Sequence, residues 1–440
     1  MRKLNMRKNN YILKKIKLSA IISILFSMLF AVMGCSSSYH NDQMLVEKKI
    51  ISEDNLDVIP KIVGLKSDKV TESEKIKYAK GFKIYYYNNK KYKLVKTLND
   101  RNYLIVPDED YQDYMAYKQE KAKSTKKKQF DVKKYNCWSK YTILNQNSHN
   151  IYLVASSVMS LFKSIDAMDK IKFSGTNVDS WYIEEAKNAM REGQILYAGK
   201  YSQPDYESLI EKKCDLAIQS TMILHTPKVK EKLEKINIPV FIDESSYETN
   251  PLGRLEWIKV YGEMTGKREQ ADSFFKEKID MVNKIKSQVD SSKSVKNKKN
   301  KIAYFYINSA GKVVVRKSED YIPNMIKLGG GEYAFKNLKN TNSENKSGAV
   351  TISMEEFYVQ AKDCDYLIYN STIDAPIESK DELIGKNKLF EKFKAVKNNC
   401  VFNTDKYLYQ SSDSMAEFIV DINSILKSDY DNLIFIKHIE

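Results

Sequence analysis

Glycine and proline are scarce, 15 and 8 in 440 residues, which excludes collagen-like repeats and proline-rich low-complexity chains. Histidine occurs four times, as His40, His149, His225 and His438, far apart along the chain. A centre that grips a bare transition ion usually draws on several imidazoles, so no resident metal is expected. The five cysteines form no CxxC, so a zinc site is not expected either. Cys214 and Cys364 each precede an aspartate at the start of an apolar run and read as buried thiols; spacing assigns no disulfide. GxSxG, P-loop, GxGxxG and HExxH are all missing, and no clustered acid–base set can be assembled, so an enzyme is not expected. Long apolar runs are missing but for one, which excludes a polytopic membrane protein. A 42% hydrophobic content supplies real cores and rules out wholesale disorder. The length suits two or three packed units.

The one long apolar run spans Leu18–Met33. Before it stand Arg2, Lys3, Arg7, Lys8, Lys14, Lys15 and Lys17, with no acidic residue through position 34. A basic start, an apolar stretch and a small residue at the cut make a secretory signal. The ending Ala31-Val32-Met33-Gly34-Cys35 resembles a bacterial lipobox. Residues 1–34 are then a lipoprotein signal peptide, and Cys35 is the lipidated first residue, anchored stably by two or more acyl chains. An uncleaved membrane anchor is the alternative; either way the remaining chain lies outside the membrane.

The chain carries 72 basic against 57 acidic side chains, a net +15, and seven of those positive charges belong to the signal. Lys118, Lys121, Lys123, Lys126, Lys127, Lys128, Lys133 and Lys134 concentrate much of the rest in 118–134, where Ser124 and Thr125 weaken any helix. This stretch reads as a solvated loop. An exported chain rarely meets nucleic acid, so none is expected as a partner.

Residues 35–80 are polar and read as a tether. An N-terminal lobe follows over 81–265. Its opening, 82–106, has Tyr-rich runs at Phe82–Tyr87 and Lys90–Val95 around Asn88-Asn89, a hairpin signal, with Tyr103–Val106 as a third strand. From Asn150, short apolar runs alternate with helical patterns. Examples are Ile151–Ala155, Cys214–Ile218, a helix opened by Thr226-Pro227, and Ile238–Ile242. Over 266–290 a stripe of Ala271, Phe275, Ile279, Val282, Ile285 and Val289 predicts one long helix. The α/β rhythm restarts in a C-terminal lobe, 296–440. There the expected elements are Ile302–Ile307, a helix at Tyr321–Leu328 closed by three glycines, Tyr366–Tyr369, Val401–Asn403 and a last helix from Ser414 to Leu426 capped by Asp413. The fold class is α/β, two lobes with mostly parallel sheets joined by one bridging helix.

In open α/β sheets, ligands bind beyond the carboxyl ends of the strands. That rule nominates Ser156, Ser157, Ser220, Thr221, Asn370, Ser371 and Thr372, with ordinary turn chemistry as the competing account. His225 can line the same cleft or simply neighbour a helix cap. Arg254 and Arg316 are candidate anion holders. Trp181, Tyr182, Tyr306 and Tyr407, with Tyr304, can supply flat walls or serve as core.

Three stretches, Tyr197–Glu248, Pro251–Phe275 and Ile352–Thr372, resemble the substrate-binding lipoproteins of ABC importers. The likeness is to the class that carries iron–siderophore, haem and cobalamin complexes, and it runs from about Asn150 to Leu426. It implies two lobes closing modestly on a chelate and a monomer that needs no cofactor of its own. It also implies one surface carboxylate per lobe docking on a dimeric permease with its ATPase: Glu207 in the first lobe, Glu355 or Glu356 in the second. Helix N-terminal charge stabilisation is the competing account of these acids. The hairpin and the lysine-rich stretch exceed the family's compact pattern. A surface adhesion or sensory lipoprotein built on the same lobes is the alternative function.

Overall fold

The computed structural model describes residues 59–68, 76–123, 130–293, 300–336, 338 and 348–440. The signal peptide, Cys35, His40 and most of the tether lie outside these. Among the described residues no helix is long and apolar enough to cross a membrane.

The chain opens on a four-stranded sheet: β1 (Phe82–Tyr87), β2 (Tyr92–Thr97), β3 (Asn102–Val106) and β4 (Thr142–Asn145), in the order β1-β2-β3-β4. The hairpin forms as expected, but its turn runs longer. Tyr87 pairs with Tyr92, and Asn88, Asn89 and Lys90 all take positive φ, so strand pairing resumes at Tyr92 rather than Lys90. Side chains alternate across a strand. Phe82, Ile84 and Tyr86 therefore face the next domain's core, while Tyr85 and Tyr87 face a second layer. That layer is α1 (Asp108–Lys123) and α2 (Val132–Trp138).

These helices correct the expectation of a solvated loop, since Lys118, Lys121, Lys123, Lys133 and Lys134 all lie on them; residues 124–129 are not described. Asp108, Glu109 and Asp110 stabilise the start of α1. Tyr111, Tyr114 and Tyr117, three apart, bury one face against Tyr135 and Trp138. Lys134 pairs with Asp110 at 2.9 Å.

The N-terminal lobe proper is a five-stranded sheet of β5 (Ile151–Leu153), β6 (Ile171–Ser174), β7 (Leu196–Tyr197), β8 (Leu216–Ser220) and β9 (Val240–Asp243), in the order β9-β8-β5-β6-β7. Every pairing in it is parallel, as short, largely apolar strands allow when both faces are covered. The covers include α3 (Val158–Ser164), α4 (Glu184–Arg191), α5 (Tyr206–Glu211) and α6 (Pro227–Lys235). Then α7 (Pro251–Glu256) and α8 (Ile258–Thr265) lead to Gly266, whose φ of +70 ends α8 in the left-handed conformation.

The bridging helix α9 (Arg268–Lys293) therefore starts two residues past the glycine. Its stripe serves both lobes: Ala271 and Phe275 join the first core, Val282 and Ile285 the second, and Ile279 touches both.

The C-terminal sheet is mixed. It comprises β10 (Lys301–Ile307), β11 (Val313–Arg316), β12 (Glu332–Tyr333), β13 (Ala349–Ile352), β14 (Tyr366–Tyr369), β15 (Val401–Thr404) and β16 (Ile436–His438). Its order is β13-β11-β10-β14-β15-β16, with β12 also on β10; β10, β12, β14 and β15 pair in parallel, and β11 and β16 run against them, β11 pairing antiparallel with both β10 and β13. Helices α10 (Tyr321–Leu328), α11 (Met354–Ala361) and α12 (Met415–Leu426) pack on it. Asp413 does not cap α12. Ser414 precedes that helix without a capping side-chain bond, and Asp413 turns to Ser164 of the other lobe.

All four described cysteines are free thiols. Cys214 and Cys364 are buried, and burial pushes both thiols up to about 12.

Two buried glutamates fasten the chain where it enters the first sheet. Glu256 accepts the N–H groups of Lys77, Tyr78 and Ala79 at 2.8–3.1 Å. Glu248 accepts those of Lys80 and Gly81 at 3.1 and 2.7 Å. Lys259 Nζ lies 2.9 Å from Glu256 and supplies the compensating charge.

Candidate functional site

The parallel strands of each lobe end on one edge, and the loops beyond those edges meet. After β6, the backbone N–H of Tyr182 donates to Gln410 Oε1 at 2.8 Å, and Gln410 Nε2 donates to Ser180 O at 2.9 Å. Tyr182 and Tyr409 also touch edge to face at 5.9 Å. On the opposite flank, Arg254 of α7 lies 3.6 Å over the ring of Tyr321 at the start of α10. Nearby, Asn324 Nδ2 donates to Thr249 O at 2.9 Å. In the floor, Ser164 Oγ donates to Asp413 Oδ2 at 3.0 Å. The sheet orders explain this pattern: the β9 side meets the β11 side, the β6 side meets the β15 side, and the loops after β5, β8, β10 and β14 lie between.

Ser156, Ser157, Ser220 and Thr221 occupy that middle and are partly exposed. Ser157 precedes α3 and makes no side-chain capping bond, whereas Ser220 Oγ accepts the Met222 N–H at 3.4 Å. Across from them, Asn370 and Thr372 hold each other: Asn370 Oδ1 accepts from Thr372 Oγ1 at 2.6 Å. Ser371 is buried, its hydroxyl on Asn403 Oδ1 and its N–H on Thr404 Oγ1. These three therefore shape the turn after β14, and Ser371 offers nothing to a guest. His225 is exposed at the end of a short turn before α6.

Trp181 is wholly buried, with Nε1 donating to Ser174 Oγ at 3.1 Å. It is the anchor of the β6 loop rather than a wall, because the strand's hydroxyl claims its one polar atom. Tyr182 beside it is exposed. Tyr306 is half-buried, and Tyr407 stacks on Phe435 at 5.9 Å. Burial, with Asp413 adding to it, raises the Tyr407 phenol and keeps it neutral.

The two arginines converge on Tyr321 but are differently committed. Arg316 makes a two-bonded fork with Asp320, at 3.0 and 2.7 Å. Arg254 donates to Glu248 O at 2.9 Å and Ser246 O at 2.5 Å, and burial lowers its pKa. Arg316 is thus spoken for by a carboxylate four residues on, and Arg254 braces the loop after β9 against the other lobe.

Sequence reasoning missed Gln410, Asp413, Ser160, Ser164 and Tyr321, which join the lobes. It also missed an apolar rim of Met222, Tyr247, Ile373 and Tyr409, each exposed just beyond a strand end. The signal that could have found the rim is position alone: a large apolar residue a few places after each apolar run.

Glu207 on α5, and Glu355 and Glu356 on α11, are exposed on the outer helices that feed β8 and β14. Asp205 and Ser353 cap these helices, so capping does not rest on the glutamates. Each helix also exposes an aliphatic residue one turn on, Ile210 and Val359.

Residues 156–408 match the sequence profile described as periplasmic binding protein. An uncharacterized lipoprotein of Methanocaldococcus jannaschii, MJ0878, is 25% identical over 434 residues, 92% of each chain. A second uncharacterized protein of that organism, MJ0642, is 29% identical over 245 residues, 54% of this chain and 70% of its own. Among solved structures, a periplasmic haem-binding protein of Pseudomonas aeruginosa superposes with a TM-score of 0.53 at 13% identity, covering 66% of this chain and 98% of that one. The petrobactin-binding protein YclQ of Bacillus subtilis gives 0.51 at 15%, covering 64% and 94%. The profile begins beyond the four-stranded opening sheet with α1 and α2. What it does cover is both lobe edges, the bridging helix and most of the loops that face each other, and on that match the chain belongs to the periplasmic binding protein family.

Proposed function

We propose that the protein is an extracytoplasmic, lipid-anchored receptor that captures a metal chelate and hands it to an ABC permease. The chelate is a ferric siderophore, haem or cobalamin, and the anchor is Cys35. The observation that carries this reading is the paired edge. Two sets of strand ends face each other across hydroxyls and amides, with tyrosine, methionine and isoleucine at the rim, a lining suited to a bulky, partly aromatic guest. Kinship with a protein named as a lipoprotein supports the anchor, and fold likeness to haem- and petrobactin-binding proteins supports the guest class.

Tryptophan fluorescence of the soluble form tests the reading, because Trp181 sits directly beside the exposed Tyr182, which touches the rim residue Tyr409. Titration with haem, cobalamin and ferric siderophores should give a saturable change with one of them, and Trp181→Phe should silence it. No saturable change with any of them sinks the proposal.

Delivery is the second part. Glu207 with Glu355 or Glu356 are proposed to dock on the permease dimer, with Ile210 and Val359 adding apolar contact beside each acid. Reversing charge at Glu207 and Glu355 together should abolish uptake while ligand affinity stays intact. An equal loss of binding would assign these acids to the fold instead.

A further inference from the structure

The two flanks that join the lobes are built from different materials. On the α7 side the joint is mainly one of packing, with the hydrogen bond of Asn324 Nδ2 to Thr249 O beside it. Leu252 of α7 is buried within the C-terminal lobe's own core, Arg254 stacks on Tyr321, and the bridging helix runs on from α8. Parting the lobes there would expose core surface to water. On the β6 side the joint relies more on polar bonds, beside the ring contact of Tyr182 with Tyr409 and the packing of Tyr407 on both cores. Gln410 is fully buried, and its carboxamide is turned across the gap to the backbone of Ser180 and Tyr182. Trp181 between them is extended, at φ −83 and ψ 137. Accepting from the residue after and donating to the residue before is what a neighbouring parallel strand does. One side chain thus adds a strand-like rung between lobes. Three residues on, Asp413 takes Ser164 Oγ, and its own N–H donates weakly to Ser160 Oγ at 3.4 Å. Water can replace every one of these bonds once the flank parts.

We infer that Gln410 is an interlobe latch, a positioning residue that holds the β6 flank shut, and that the lobes swing about the welded α7–α9 side. The latch rests on the receptor reading for its purpose, but its geometry is testable without any ligand. Two hydrogen bonds of ordinary net strength bias a two-state opening by roughly 30-fold, and one by roughly fivefold.

Hydrogen exchange of the Tyr182 amide, read by mass spectrometry on the full soluble chain, is the test. Gln410→Ala should speed exchange of that amide roughly 30-fold, with the melting temperature and exchange in the α7–α9 segment unchanged. Gln410→Glu keeps an acceptor for the Tyr182 N–H but loses the donor to Ser180 O, so its exchange should fall between the two. If a chelate binds in the fluorescence titration, Gln410→Ala should also release it faster by a similar factor. Unchanged protection of Tyr182 in Gln410→Ala overturns the latch. So does faster exchange throughout the chain in both variants, which would make Gln410 a general stability residue. Absence of chelate binding alongside local deprotection of Tyr182 would sink the receptor reading and leave the latch standing.

Discussion

Two segments of the chain, one entering the first sheet and one closing the last, are tied down by buried carboxylates, and the two ties differ. Near the N-terminal end, Glu256 and Glu248 accept five consecutive backbone N–H groups, Lys77 to Gly81, from a segment that belongs to no strand. Near the C-terminal end, Asp421 accepts three, Ile434 to Ile436, at 2.6–3.1 Å. That tail then pairs with β15 as an ordinary edge strand. Lys259 balances the charge of Glu256, whereas burial raises the pKa of Asp421 in spite of its three donors. The difference teaches that an irregular segment depends on side-chain carboxylates for all of its N–H groups, while a segment with a ladder needs the carboxylate less.

Glu256→Ala should break this comparison hardest. It takes the acceptor from three N–H groups, that of buried Ala79 among them, and the buried carboxylate from the Lys259 ammonium, a loss expected at about 3–5 kcal/mol, measurable as a lower denaturant midpoint. Asp421→Ala leaves neutral donors beside a surviving ladder, so about 1–3 kcal/mol is expected. A loss equal to that of Glu256→Ala would refute the role given to the ladder. Gly253→Ala sharpens the N-terminal side, since the new Cβ would lie 2.8 Å from Tyr78 O. Crowding the tied segment should cost about 1–3 kcal/mol, and in the Glu256→Ala background, with the segment released, much less. The smallest effect concerns pH. With its native pKa above the ordinary 3.8, Asp421 keeps its proton after the unfolded chain has lost it. Its contribution is complete below about pH 3.8 and is lost as pH rises through the native value. Asp421→Asn should remove that decline, so its stability relative to the natural chain should improve from pH 4 towards neutrality.

The sequence made the skeleton legible where chemistry was local. Helix Tyr321–Leu328 and strand Tyr366–Tyr369 fall where apolar spacing and flanking caps put them, and the bridging stripe divides its residues between the two cores. Helix α1 was hidden because eight lysines in a short stretch outweigh three tyrosines at three-residue spacing. The cleft was half legible. The rule about strand ends located the loops, but not which side chains the loops use on themselves, as Asn370 and Thr372 do. Arg316 had its aspartate four residues ahead, a pairing that spacing could have shown. Gln410 had no such signal, since its partners lie 228 and 230 residues away, and only folding brings them together.

The segment from Lys77 to Gly81 reaches the body at the seam of the lobes. Tyr78 packs on both cores and meets Phe275 of the bridging helix edge-on at 6.0 Å. Ahead of it, residues 59–68 are already bound to the opening sheet: Asp68 donates its N–H to Tyr86 O at 2.9 Å, Ser67 bridges to Tyr87, and Ile62 is buried. A force arriving from the tether is borne by that sheet and the first lobe it packs on, so a tug on the leash should leave the jaws unmoved.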